Sequence, residues 1–150
     1  AHNIINSLYL TPEKLEELVK ERFARYEQVK ANEQMAEEYL TEDADIVLVA
    51  YGASSRVARS AVNKAREKGI KAGLVRPITL WPFPTEALNR AASHAKKTAK
   101  HFLAVEMSMG QMVDDVKLAI DCKVPVHFYG RTGGMIPTPA EVLEQIEALL

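Results

Sequence analysis

The spacing of hydrophobic and polar positions changes along this chain, and each change marks an element. Thr11 and Pro12 open a helix, because threonine suits the N-cap and proline the first turn, where its missing N–H leaves nothing unpaired. From there Leu15, Leu18, Val19, Phe23, Tyr26, Val29, Met35 and Tyr39 fall on one stripe at helical intervals. A continuous helix of that reach would run roughly 40 Å at 1.5 Å per residue, against a radius of gyration of about 15 Å for a chain of this size. Either it breaks near Asn32 or its end lies against something outside this chain.

Beyond the arm the pattern alternates. Strands are predicted at about Asp45 to Ala50, Lys71 to Arg76, Phe102 to Glu106 and Val124 to Tyr129, with helices at about Ser55 to Lys68, Pro84 to Lys97 and Met109 to Asp121. Ile46, Val47, Leu48 and Val49 show no polar alternation, which suits a strand covered on both faces. Gly69 fits a helix C-cap, and Thr138, Pro139 and Glu141 fit a capping box that opens a last helix with Val142, Leu143, Ile146 and Leu149 on its apolar face. Alternating strands and helices predict an α/β fold with right-handed crossovers and a mainly parallel sheet. Ligands and partners of such sheets are met beyond the carboxyl ends of the strands.

Composition narrows the function classes. The chain has 150 residues, 47% of them hydrophobic. A chain of that length buries about 70% of the surface its unfolded form exposes, so one globular domain is the default. A net charge of -1 and a pI near 6.5 give no overall field for a phosphate backbone. The basic stretch His94 to His101, HAKKTAKH, reads as a solvated face, and no nucleic-acid partner is expected. Cys122 is the only cysteine, so neither a disulfide within the chain nor a four-cysteine iron–sulfur site can form, which fits the cytoplasm. No apolar run approaches the roughly 20 residues that span a bilayer, and IINSLYL near the amino terminus is too short for a signal peptide.

Candidate chemistry gathers at the predicted strand ends. Tyr51 to Ser55, YGASS, places a glycine and two hydroxyls before a helix, where an anion could sit, although the ordinary role of Ser54 or Ser55 is the N-cap. Val105 to Met112, VEMSMGQM, puts Glu106 at the sheet edge beside Met107, Met109, Gln111 and Met112. Glu106 is open to three readings: general base, ligand contact or interdomain hydrogen-bond acceptor. Catalysis ranks last, because local sequence supplies no histidine, cysteine or second carboxylate beside it. The methionines read as partner-facing or as core filling. His127 to Gly134, HFYGRTGG, offers the planar fork of Arg131 next to Thr132, in what reads as a gate, an interface loop or a glycine-rich connection. The four histidines form no metal-ligand pattern, and Asp114 and Asp115 point in different directions on a helix.

Taken together, RPITLWPFP (Arg76 to Pro84), VEMSMGQMVDDV (Val105 to Val116) and VPVHFYGRTGG (Val124 to Gly134) resemble the carboxyl-terminal domain of the alpha subunit of 2-oxoacid:ferredoxin oxidoreductases, most closely the 2-ketoisovalerate, branched-chain type. The resemblance covers nearly the whole chain. It implies a three-layer α/β domain like the transketolase carboxyl-terminal domain, with a five-stranded, mostly parallel sheet and one antiparallel strand. Residues 1–40 would then be a helical arm leading from an upstream domain, and residues 41–150 the α/β domain. Enzymes of that family decarboxylate a 2-oxoacid on thiamine diphosphate with Mg, pass electrons through iron–sulfur clusters to ferredoxin, and deliver the acyl group to coenzyme A.

The resemblance implies that this chain holds none of these cofactors, carries no catalytic or metal-binding residue, and is inactive by itself. Its expected role is assembly, with Ser54, Ser55, Glu106, Met107, Gln111, Arg131 and Thr132 as loop or interface candidates. The implied partners are an amino-terminal pyrimidine-binding domain of the same subunit, the other oxidoreductase subunits and, through the holoenzyme, ferredoxin, with no membrane. Two alternatives stay open: the same family with 2-oxoglutarate or pyruvate as substrate, and a stand-alone module binding an anion or nucleotide at the Ser54 turn.

Overall fold

The computed structural model describes Asn6, residues 8–93 and residues 99–150. Residues 94–98, and with them the end of the helix expected to reach Lys97 and most of the basic stretch, lie outside the described residues. The chain divides into two compact units, Ala1–Glu33 and Gln34–Leu150.

Among the described residues the first unit holds one helix, α1 (Pro12–Asn32), with proline in its first turn and no buried residue. Its charged face is stitched by Lys14–Glu17, Lys20–Glu16 and Lys30–Glu27 pairs, the ordinary spacing for support along a helix. The helix stops at Asn32, so the single stripe to Tyr39 is corrected and the break near Asn32 is observed.

The second unit opens with a strand where helical spacing had been read, β1 (Ala36–Tyr39). It is followed by β2 (Ile46–Val49), α2 (Gly52–Glu67), β3 (Ala72–Pro77), α3 (Thr85–Ala92), β4 (His101–Glu106), α4 (Met112–Ala119), β5 (Val126–Gly130) and α5 (Pro139–Ala148). The strands lie in the order β1-β3-β2-β4-β5. β3, β2, β4 and β5 are parallel, and β1 runs antiparallel to β3 with Glu37 opposite Arg76 and Tyr39 opposite Leu74. The sequence AEEY shows no strand alternation of its own, and pairing with β3 overrides its fit to the helical stripe.

Strand periodicity assigns side chains to two cores. Ile46, Leu48, Leu103 and Val105 point to one face, under Ala58, Ala61, Val62 and Ala65 of α2 and Val142 and Ile146 of α5. Val47, Val49, Phe102 and Ala104 point to the other, under Leu88 of α3, Val113 and Val116 of α4 and the C-cap residue Ile120. All four β2 residues are fully buried, as expected for the middle of a sheet covered on both sides. Each large aliphatic or aromatic side chain placed there stabilises the fold by about 1.5–3 kcal/mol.

Local signals fix the helix ends. Gly69, with φ +81°, follows α2 in a left-handed turn in which its N–H reaches the Arg66 carbonyl and the Ile70 N–H the Ala65 carbonyl, pairing the last orphan acceptors. Thr138 and Glu141 form the capping box in full. Gly73 meets a different demand, since a Cβ there would lie 2.6 Å from the Leu40 carbonyl oxygen.

Candidate functional site at the carboxyl edge of the sheet

The chain leaves β2 to build α2 and β3 on one side, while β4 lies on the other. The reversal opens a crevice between the carboxyl ends of β2 and β4, where sheets of this kind receive ligands. A pocket of about 190 Å³ occupies it, lined by Tyr51, Gly52, Ser54, Glu106, Met107 and Gln111 among others.

Gly52 sets one wall. Its φ of +57° turns the chain from strand into helix, so α2 begins three residues earlier than the reading at Ser55. The N-cap is Tyr51, without a side-chain cap bond, which corrects the assignment of that role to Ser54 or Ser55. Both serines are buried in the first turn, where the Ser55 hydroxyl donates to the Gly52 carbonyl at 2.8 Å. Ser54 faces the crevice; Ser55 lines a separate pocket.

Glu106 sets the other wall and is only 3% exposed. Its Oε2 accepts the Ser108 hydroxyl at 2.9 Å and the N–H groups of Gln111 and Met112 at 3.0 Å each, and its Oε1 accepts the Val113 N–H at 2.9 Å. The last strand residue thus caps α4 through space and brings a negative charge to the positive end of that helix. Ser108 closes the loop by accepting the Gly110 N–H at 3.1 Å. Gln111 is the N-cap residue but contributes its backbone N–H, not a side-chain cap.

With the loop so fixed, its methionines separate. Met107 and Met109 are 42% and 83% exposed, whereas Met112 is buried in the core beneath α4. The cluster of three read from sequence is therefore two outward side chains and one inward.

Arg131 extends the same edge. Its N–H donates to the Glu106 carbonyl at 3.2 Å, and its guanidinium pairs with the Glu141 carboxylate. Glu141 is held below the usual carboxylate range, first by the Thr138 N–H, then by the Thr138 hydroxyl and the nearby Arg131. The Thr132 carbonyl accepts the Met135 N–H at 3.1 Å in the turn that follows. The structure therefore gathers Ser54, Glu106, Met107 and Gln111 around one crevice and sets Arg131 and Thr132 beside it, joined to Glu106 through the backbone.

Two features at this edge were not singled out as sites from sequence. The loop after β3 exposes Ile78, Leu80 and Trp81 by half or more of their surface. Their signal was present, because an apolar run broken by prolines cannot continue a strand. The other is the arginine group Arg56, Arg59 and Arg76, which only the pairing of β1 with β3 assembles.

Sequence and structure comparisons agree with this architecture. Residues 44–142 match the model of the pyruvate:ferredoxin oxidoreductase core domain II family, and the chain belongs to that family. Among its relatives, the ketoisovalerate oxidoreductase subunit VorB of Methanothermobacter thermautotrophicus is 46% identical over 147 residues, covering 96% of this chain and 40% of the relative. The resemblance to the 2-ketoisovalerate type of 2-oxoacid:ferredoxin oxidoreductase is thereby borne out, with this chain spanning well under half of that subunit's length. Two solved structures share the fold. The 2-oxoglutarate:ferredoxin oxidoreductase of Magnetococcus marinus superposes with a TM-score of 0.72 at 19% identity, covering 93% of this chain and 24% of that one. A split-gene transketolase superposes at 0.61 with 20% identity, covering 76% and 40%. The expected transketolase-like, mostly parallel five-stranded α/β architecture is borne out with them.

Among the described residues, no three histidine, cysteine or carboxylate side chains come together in a metal-binding group. The donor set of this chain does not fit an iron–sulfur cluster, because Cys122 is its one cysteine and lies exposed. Glu106, the carboxylate that lines the crevice, directs its hydrogen bonds to Ser108, Gln111, Met112 and Val113 of its own chain. Among the described residues no helix is long and apolar enough to cross a membrane.

Proposed function

We propose that this chain is the assembly domain of the alpha subunit of a 2-ketoisovalerate:ferredoxin oxidoreductase, a cytoplasmic enzyme. The observation that carries the reading is the split between what the edge loops bind internally and what they leave exposed. Glu106 and Arg131, the polar groups suited to chemistry, are used to fix the loops. Ile78, Leu80, Trp81, Met107 and Met109 stand 42% to 83% exposed on the same edge. Large apolar and aromatic side chains presented on rigid loops are the composition of an interface core. Fixing the loops beforehand reduces the ordering entropy that association would otherwise cost.

In this reading thiamine diphosphate, Mg, the iron–sulfur clusters and the site of acyl transfer to coenzyme A belong to the upstream pyrimidine-binding domain and the partner subunits, and ferredoxin is met by the holoenzyme. The 46% identity to a ketoisovalerate oxidoreductase subunit supports a branched-chain substrate in this reading; the likeness to the 2-oxoglutarate enzyme, at 19%, speaks for fold alone.

The test replaces Trp81 and Met109 by aspartate in the full-length subunit. Expected is loss of the assembled complex in size-exclusion chromatography with light scattering and loss of 2-ketoisovalerate-dependent ferredoxin reduction, with the fold retained by circular dichroism. An intact, active complex would refute the docking role. Ferredoxin reduction by this chain alone, with any 2-oxoacid, would refute the division of labour.

A further inference from the structure

Between the first turns of α2 and the antiparallel edge of the sheet lies an open pocket of about 420 Å³ whose charge the docking role does not use. Three elements line it: α2 with Arg56 and Arg59, β3 with Arg76, and β1 with Glu37. Glu37 and Arg76 face each other in the β1–β3 register, and one carboxylate serves two guanidinium groups. Arg59 Nη1 donates to Glu37 Oε1 at 2.7 Å, and Arg76 Nη1 donates to Oε2 at 3.1 Å. These two arginines hold the Glu37 carboxyl below its ordinary range, Arg76 foremost. Arg59 is further fixed 4.1 Å above the Tyr39 ring, whose hydroxyl donates to Asn63 Oδ1 at 2.9 Å.

A guanidinium carries five N–H donors. Arg59 and Arg76 each give one to Glu37, and the Arg56 guanidinium has no hydrogen-bonding or ion-pair partner among the described residues. The lining therefore keeps an excess of two positive charges and a set of free planar forks, in a chain whose net charge is -1. Such forks match the tetrahedral oxygens of a phosphate, which they can meet two at a time. The amino-terminal turn of α2, with Gly52 and Ala53 in the lining, adds partial positive charge of the same sense.

We infer that this pocket binds a dianionic phosphate group, free or as the end of a small phosphate ester. The arginine arrangement alone supports this, and the inference stands or falls separately from the docking role. The charge excess equals that of the ligand, and the volume exceeds what a bare phosphate fills.

The test is isothermal titration of the assembled full-length enzyme at constant ionic strength in chloride, with inorganic phosphate and glycerol 3-phosphate as probes. Wild type, Arg56→Gln and Arg76→Gln are compared. Expected is a saturable binding component, one per copy of this chain, weakened roughly tenfold or more in each variant, equivalent to about 1.4 kcal/mol. Arg56→Gln guards against misfolding, because its guanidinium supports no described neighbour and its unfolding midpoint should match wild type. Equal affinity for both probes assigns the free ion, and tighter binding of glycerol 3-phosphate assigns an ester. Absence of such a component in the assembled enzyme, including its exclusion by an acidic side chain of a partner subunit, overturns the inference. So does binding that both variants leave unchanged.

Discussion

Replacing Glu106 by glutamine changes one atom in the most constrained side chain of the carboxyl edge. The carboxylate accepts four hydrogen bonds and its position offers it no role as donor. A glutamine must place an NH2 where an oxygen now sits. The least damaging orientation keeps the carbonyl in the Oε2 position, with its three donors, and turns the NH2 toward the Val113 N–H. That bond is lost and a buried donor left unpaired, a penalty of about 2 kcal/mol. The three surviving bonds fall from charge-assisted to neutral, about 1 kcal/mol each.

Against this loss of about 5 kcal/mol stands relief of the buried carboxylate's desolvation. A charge already met by four donors recovers only part of the several kcal/mol such burial costs, about 2 kcal/mol. The net destabilisation is about 3 kcal/mol. With a urea dependence of about 2 kcal/mol per molar for a chain of this size, the unfolding midpoint should fall by roughly 1.5 M. Gln111→Ala is the control: its backbone N–H remains, so its midpoint should stay close to wild type. A Glu106→Gln midpoint within about 0.2 M of wild type would refute the claim that this carboxylate caps α4, because losing one of its bonds and the charge behind the other three cannot be that small.

Two further outcomes check other parts of the fold. Gly130→Ala would put a Cβ 2.4 Å from both the Ser108 carbonyl oxygen and the Phe128 ring, so the β4–α4 loop must move away from β5. A loss of about 1–3 kcal/mol in urea unfolding is expected, and an unchanged midpoint would mean that the two segments do not touch. The third concerns His127, whose pKa is lowered from 6.5, first by burial and then by His101, whose Nδ1 lies 3.2 Å from its Nε2. A histidine depressed in the fold takes up its proton more readily when unfolded, so its contribution is complete above pH 6.5 and is lost as pH falls below that value. The lowered carboxyls of Glu37, Asp43 and Glu141 act only near and below their ordinary values of 3.8 to 4.5. Between about pH 5 and 6.5 the slope of stability against pH should therefore flatten in His127→Gln, and an identical slope in both proteins would contradict the assignment.

What could be read from sequence was whatever depended on near neighbours. The run Ile46 to Val49 announced a strand covered on both faces through its own unbroken apolar pattern, and Thr138 to Glu141 announced its capping box, because the two partners of that box lie three residues apart. β1 was hidden because Ala36–Tyr39 carries two glutamates and one large apolar residue, and becomes a strand only through β3. The start of α2 was missed by three residues because the backbone of Gly52, not a serine hydroxyl, sets it. Glu106 was located at the sheet edge, yet its capping role depends on N–H groups five to seven residues ahead that a loop must fold back to present. The arginine pocket draws on β1, α2 and β3, and no local window contains it.

The same geometry separates three demands that compete at the edge of a parallel sheet. A loop that must grip another polypeptide needs apolar side chains outward, yet an unsupported loop would lose much of the gain in ordering itself. Here the support is ionic and inward: Glu106 fixes residues 107–111 through four hydrogen bonds, and Arg131 fixes the next loop through Glu141. The Glu106 carboxylate is engaged by the Ser108 hydroxyl and three backbone N–H groups, and the Arg131 guanidinium by Glu141, while the outward positions of the loop fall to Met107 and Met109. The cationic pocket adjoins the crevice at the first turn of α2, sharing Gly52 and Ala53 with it, and there Glu37 neutralises only part of the arginine charge. Rigid loops, an apolar rim and an unspent positive charge thus arise from one topology, in which the strand order reverses at β2 and the first turn of α2 borders both the crevice and the arginine pocket.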